Sequence, residues 1–167
     1  MTTEGARGGS QSLILLFLKD IDEQFAREQF EIYKELFLDY RLGLPGFREY
    51  PKGQNGEGDV DSGPIIWEIG GVASIVGQRT MAKYENWTLY EGLRNCIKSF
   101  GAAYTRDSER KYIFGQLAIA DVFTAWSNSV EYTENQGKNT SNWRLRFQLL
   151  SLVLVLIIGF VFIRLRN

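Results

Sequence analysis

Residues 48 to 62 read REYPKGQNGEGDVDS and bring Arg48, Glu49, Tyr50, Asp59, Asp61 and Ser62 into one glycine-rich stretch. Asp59 and Asp61, two residues apart and just before an apolar run, have the spacing of paired carboxylates for general acid/base work. A following helix N-terminus would favour their ionised form, and the glycines let backbone approach a ligand closely. Glu49 with Arg48 and Tyr50, at the other end of the stretch, can complete a polar cluster that binds and positions a substrate. A second reading is structural: Asp61 caps the following helix, Asp59 pairs with an arginine, and the glycines serve turns. Calcium is a third, because Glu57, Asp59, Asp61 and Glu68 fall at positions one, three, five and twelve of an EF-hand loop. Ser62 at the glycine position, Pro64 inside the loop and the lack of an entering helix count against it, so no metal site is expected.

Composition narrows the chemistry. The chain of 167 residues has no histidine and one cysteine, which removes histidine triads, His-ligated zinc and intrachain disulfides. Cys96 sits in the helical pattern LYEGLRNCIKSF and reads as a buried, inert thiol. Formal net charge is -1, and setting aside Arg144, Arg146, Arg164 and Arg166 leaves about -5 on the rest. An acidic body without a basic stripe argues against nucleic acid as a partner, and no cofactor is implied.

Arg7-Gly8-Gly9-Ser10-Gln11-Ser12 forms a second polar group, where backbone amides at a helix start could receive an anion. The segments ARGGSQS, YRLGLPGFREYPKG, GDVDSGPIIWEIGGVASIVGQRT and FGQLAIADVFTAW together resemble the C-terminal part of bacterial α/α-toroid proteins. These are similar to six-hairpin glycosidase-like and linalool dehydratase/isomerase-like barrels, many of them membrane-associated. The resemblance covers roughly residues 6 to 132. It implies a central cavity for a saccharide or an isoprenoid-like substrate. Asp59, Asp61 and Glu49 would be the catalytic carboxylates, with Arg48, Tyr50, Ser62, Arg7 and Gln11 as binding residues; Ser10 joins the Arg7 group. The cysteines of the dehydratase type have no counterpart, since Cys96 lies outside these motifs. A full ring needs about twelve helices and five precede the tail, so the chain is expected to be the C-terminal portion of a longer protein. If it is complete, a half-ring would form a homodimer or stay open. The alternative to an enzyme is a non-catalytic, membrane-bound scaffold or binding module.

The elements that must position these residues read as all-α, in antiparallel helix pairs. Ser10 opens a short apolar helix ending at Lys19. Asp20-Ile-Asp-Glu23 resembles a capping box for a second helix with Phe25, Ala26, Phe30, Tyr33, Phe37 and Tyr40 at helical spacing. A loop from Arg41 to Ser62 follows. A third helix is expected from Pro64, capped by Asp61 or Ser62, to Lys83; Gly70, Gly71, Ala73, Ser74 and Gly77 make it unusually slim. Since each interior glycine costs about 1 kcal/mol, close packing or an adjacent ligand space must offset it. A fourth helix runs from Asn86 to Phe100 and a fifth from Leu117 to Glu131, within which Trp126 reads as core. Strand character is confined to KYIF.

Residues 1–132 thus form the body, 133–143 a polar linker, and 144–167 a transmembrane anchor. Phe147 to Ile163 is an uncharged run of 17 residues bracketed by arginines. As a helix it covers about 25 Å, near the lower limit for the hydrocarbon core, with arginines and Trp143 extending to the interface. The bilayer is therefore an expected partner. The resemblance implies the bacterial inner membrane, and if the chain is complete the body is cytoplasmic and tail-anchored.

Overall fold

The computed structural model describes residues 5–59, 61–100, 104–111, 118–131 and 143–166. Among them the chain is mostly helical, with six helices and three two-stranded hairpins. Helix α1 spans Gly8–Ile21 and α2 spans Glu23–Phe37. They are separated by Asp22 alone, whose extended backbone (φ −146°, ψ 99°) breaks the helix. Its side chain accepts the Phe25 N–H at 3.0 Å, so one acidic residue both ends α1 and caps α2. Ala26, Phe30, Tyr33 and Phe37 are the buried face of α2, as their spacing requires.

The second helix stops at Phe37 and the chain turns into a hairpin, β1 (Leu38–Arg41) with β2 (Leu44–Phe47). Leu42 and Gly43 take positive φ (51° and 77°), the two-residue turn that matches strand twist. The expected continuation of the helix to Tyr40 and an unstructured loop from Arg41 are therefore corrected. All four residues of β2 are buried. A second hairpin, β3 (Ile65–Ile66) with β4 (Ile69–Gly70), occupies the expected start of the third helix. The pair of β-branched isoleucines favours extended backbone there.

Helix α3 consequently begins at Gly71, not Pro64, and runs to Lys83. Asp61 and Ser62 do not cap it with their side chains. Its first N–H groups are taken by backbone instead, Gly71 N–H by Pro64 C=O at 2.9 Å and Val72 N–H by Ser62 C=O at 3.3 Å. Helix α4 (Trp87–Phe100) is capped by Asn86, whose side chain accepts the Leu89 N–H at 3.3 Å. Hairpin β5–β6 (Tyr104–Arg106, Glu109–Lys111) ends as the KYIF segment begins, and Tyr112 to Phe114 lie outside the described residues. Helix α5 is Ala118–Asn128 and α6 is Trp143–Arg166; most of the expected linker lies outside the described residues.

Helix α3 is the hub, packing on α1, α4, α5 and β2. The core joins Leu15, Phe30, Tyr33, Phe47, Met81, Tyr84 and Tyr90, with Phe30 stacked on Tyr84 at 4.1 Å and Tyr33 on Phe47 at 4.7 Å. Close packing accounts for the slimness of α3. A Cβ on Gly77 would meet the Phe47 ring at 2.4 Å, one on Gly70 the Glu49 carboxylate at 2.8 Å, and one on Gly71 Pro64 at 3.3 Å. Across the interface, a Cβ on Gly8 would lie 2.0 Å from the Arg48 carbonyl oxygen.

Candidate functional site

Arg48 and Glu49 leave the end of β2 in opposite directions, as successive residues of an extended strand must. Arg48 bridges to Ile69 of β4 through its backbone. Its guanidinium, almost fully buried, pairs with Glu68 at 2.6 Å and Asp39 at 3.3 Å. Arg41 joins the same two carboxylates, each at 2.9 Å. Two arginines and two carboxylates thus tie β1, β2 and the β3–β4 turn into one charge-balanced unit. The hydrogen bond from Arg48, followed by its charge, holds Glu68 below the usual carboxylate range. Burial works against ionisation of Asp39, but hydrogen bonds from Arg41, Tyr40 N–H and Arg48 outweigh it and keep Asp39 low as well.

Glu49 points toward α1, where Arg7 precedes the first turn. Arg7 Nε lies 3.2 Å from Glu49 Oε1. The same guanidinium pairs with Asp59, donates to the Tyr50 hydroxyl, and sits 5.0 Å from the centre of the Tyr50 ring. Tyr50 in turn donates to the Glu57 carbonyl at 2.7 Å. Asp59 Oδ1 accepts the N–H groups of Ser62 at 2.8 Å and Asp61 at 3.1 Å, and Ser62 Oγ accepts the Asp59 N–H at 2.8 Å. These backbone bonds, with Arg7, hold the Asp59 carboxyl below its ordinary value.

One arginine here serves two carboxylates. Glu49 is 3% exposed, and its second oxygen, Oε2, is buried without a hydrogen-bond partner. Desolvation raises its pKa; Arg7 opposes that and the Asp59 charge adds to it. Nearby, Tyr33 shares a hydrogen bond with Ser12, and burial pushes its phenol far up.

The structure therefore brings Arg7, Glu49, Tyr50, Asp59 and Ser62 together. Arg48 belongs to the other cluster. Asp61 is exposed, and Gln11 is half-buried on α1 with its backbone N–H bonded to Arg7 C=O at 2.9 Å. The paired-carboxylate arrangement of Asp59 and Asp61 is replaced by an arginine pair for one and solvent for the other. The calcium spacing does not converge either, since Asp59 and Glu68 turn to different arginines; among the described residues no group of three ligating side chains could hold a metal.

Sequence reasoning overlooked Asp39 and Arg41 as partners. Their alternation with Tyr40 in Asp-Tyr-Arg puts both on one face of a strand, a signal hidden by assigning that segment to helix and loop. It also overlooked a groove of about 110 Å³ between β2, the β3–β4 hairpin, α3 and α4, lined by Leu44, Ile66, Trp67, Ile75, Ile97 and Phe100 among others. Cys96 lines it too, its thiol pushed up to about 12 by burial, as an inert cysteine should be.

Helix α6 carries a span, Leu145–Arg166, of 22 residues long and apolar enough to cross a membrane, and none of it is buried against the body's core. No family model, curated protein or solved structure matches the chain.

Proposed function

We propose that this protein is a membrane-anchored helical binding module of α/α-toroid type, in which the acidic loop is a clasp rather than a catalytic centre. The observation that carries this reading is the Arg7–Asp59 pair. Asp59 is engaged by an arginine and by two backbone N–H groups, so its carboxylate is committed to holding the loop against the start of α1. A general acid or base needs an oxygen free to exchange a proton with substrate. Asp61, the remaining loop aspartate, is exposed to water.

Hydrogen exchange on the full chain in detergent micelles tests the clasp. Asp59→Asn should speed exchange of the amides in residues 53–64 and lower the melting temperature, while Asp61→Asn should change neither. Equal protection in both variants would refute the clasp.

A second reading keeps an enzyme acting on a saccharide or isoprenoid-like substrate and moves its acid to Glu49. It draws on the unpartnered Oε2 and the burial-raised pKa, the pairing of features found at catalytic carboxyls.

A further inference from the structure

The apolar groove belongs to neither charged cluster. Its polar side chains are already committed. Arg41 is held by Asp39 and Glu68 and donates to the Trp67 carbonyl at 3.1 Å. Ser74 Oγ accepts the Phe47 N–H at 3.0 Å. The Cys96 thiol stays neutral. A polar ligand would lose its hydration here and gain no partner, whereas hydrocarbon would cover the walls at no such cost.

The rim points to where that hydrocarbon comes from. Ile66 and Trp67 stand 47% and 52% exposed at the tip of the β3–β4 hairpin. Trp67 does so with φ 49°, a left-handed conformation that a bulky residue rarely adopts. At the other end Phe100 is 37% exposed and meets the ring of Phe147 edge-on at 5.4 Å. Phe147 lies in the first two turns of α6, the helix long and apolar enough to enter a bilayer. The groove wall is thus continuous with the apolar surface of the anchor, and the exposed tryptophan is of the type that settles at membrane interfaces.

From this continuity we infer that the groove takes an acyl chain of a phospholipid drawn from the bilayer that α6 enters. The inference rests on the membrane-anchored reading. No headgroup contact is required, because the lining offers none.

The experiment uses the full chain in phosphatidylcholine vesicles containing a phosphatidylcholine with a diazirine near the end of one acyl chain. After irradiation, labelled peptides are mapped by mass spectrometry. Adducts are expected on α6 and on the groove residues Trp67, Ile97 and Phe100. Ile97→Trp, which fills the groove, should cut adducts on the β3–β4 hairpin at least about tenfold, the loss of a few buried methylenes, and leave those on α6 unchanged. Trp67→Asn suits the left-handed turn and so keeps the hairpin; it should lower labelling at Phe100 even if the filled variant fails to fold. Adducts on α6 alone would overturn the lipid groove and leave the anchor standing. Adducts on neither would remove the anchored reading and the groove together. Groove adducts unchanged in both variants would mean surface contact, and would also overturn the inference.

Discussion

Glu49 is a carboxyl that folding takes almost entirely out of water. A carboxylate with one buried, unpartnered oxygen is a cost to folding whenever it is charged. Its pKa is raised in the fold by desolvation, against the pull of Arg7. An acid whose pKa is higher folded than unfolded holds more protons in the native state. Its contribution is therefore fully present below the ordinary glutamate range and is lost as pH rises through the folded value. Asp39, Asp59 and Glu68 are shifted the other way, so they supply stability above the ordinary range that is lost in acid. Total stability mixes the two directions, and Glu49→Gln separates them. In urea titrations of the full chain, the variant's advantage over wild type should grow as pH rises from the ordinary glutamate range toward neutrality. An advantage that shrinks with pH would show that Arg7 outweighs burial.

At the scale of elements, the thin helix and the buried hairpin explain each other. Glycine in α3 is tolerated because β2 and its neighbours lie where side chains would be. Gly77→Ala places a Cβ 2.4 Å from the Phe47 ring, and Phe47 is fully buried between Tyr33 and α3. The clash should cost about 1–3 kcal/mol despite alanine's better helix propensity. Gly9→Ala makes only ordinary van der Waals contacts, with Val72 at 3.5 Å and the Ala73 backbone at 3.8 Å, and should be neutral or stabilising by up to about 1 kcal/mol. Denaturant midpoints of the two variants distinguish packing from propensity. The helical spacing of Phe30, Tyr33 and Phe37 was legible in the sequence, as was the cap at Asn86, because periodicity and capping are local; the capping box expected from Asp20 instead falls inside α1, and Asp22 caps α2. The hairpins were not. Trp67-Glu68 occupies a turn that favours Asn-Gly, at φ 49° and 68°, and what holds Glu68 there is two arginines, one 20 and one 27 residues back. Asp59's pairing with an arginine was foreseen as an alternative, but its partner 52 residues away was not identifiable from spacing.

The whole molecule divides into a body with its own core and a helix with no buried face. Helix α6 covers about 36 Å at 1.5 Å per residue for its 24 residues, longer than the uncharged run alone, because the flanking arginines continue it. This was the most legible part of the sequence: seventeen uncharged residues between arginine pairs need no tertiary contact to be recognised. Its exposed surface in water would be a large unpaired apolar cylinder, which a bilayer covers. Placing charge at the centre of that cylinder tests whether the bilayer is the cover. Leu154 and Ile158 lie one turn apart on one face, 38% and 59% exposed, so neither is held by the body. Each arginine at the centre of a span costs about 2.5–3.5 kcal/mol on the insertion scale. L154R/I158R should therefore lose most of its alkali-resistant membrane fraction, while wild type stays in the pellet and both keep the same circular dichroism signal from the body. Retention of the double variant after alkali extraction would mean that something other than α6 holds the protein to membranes.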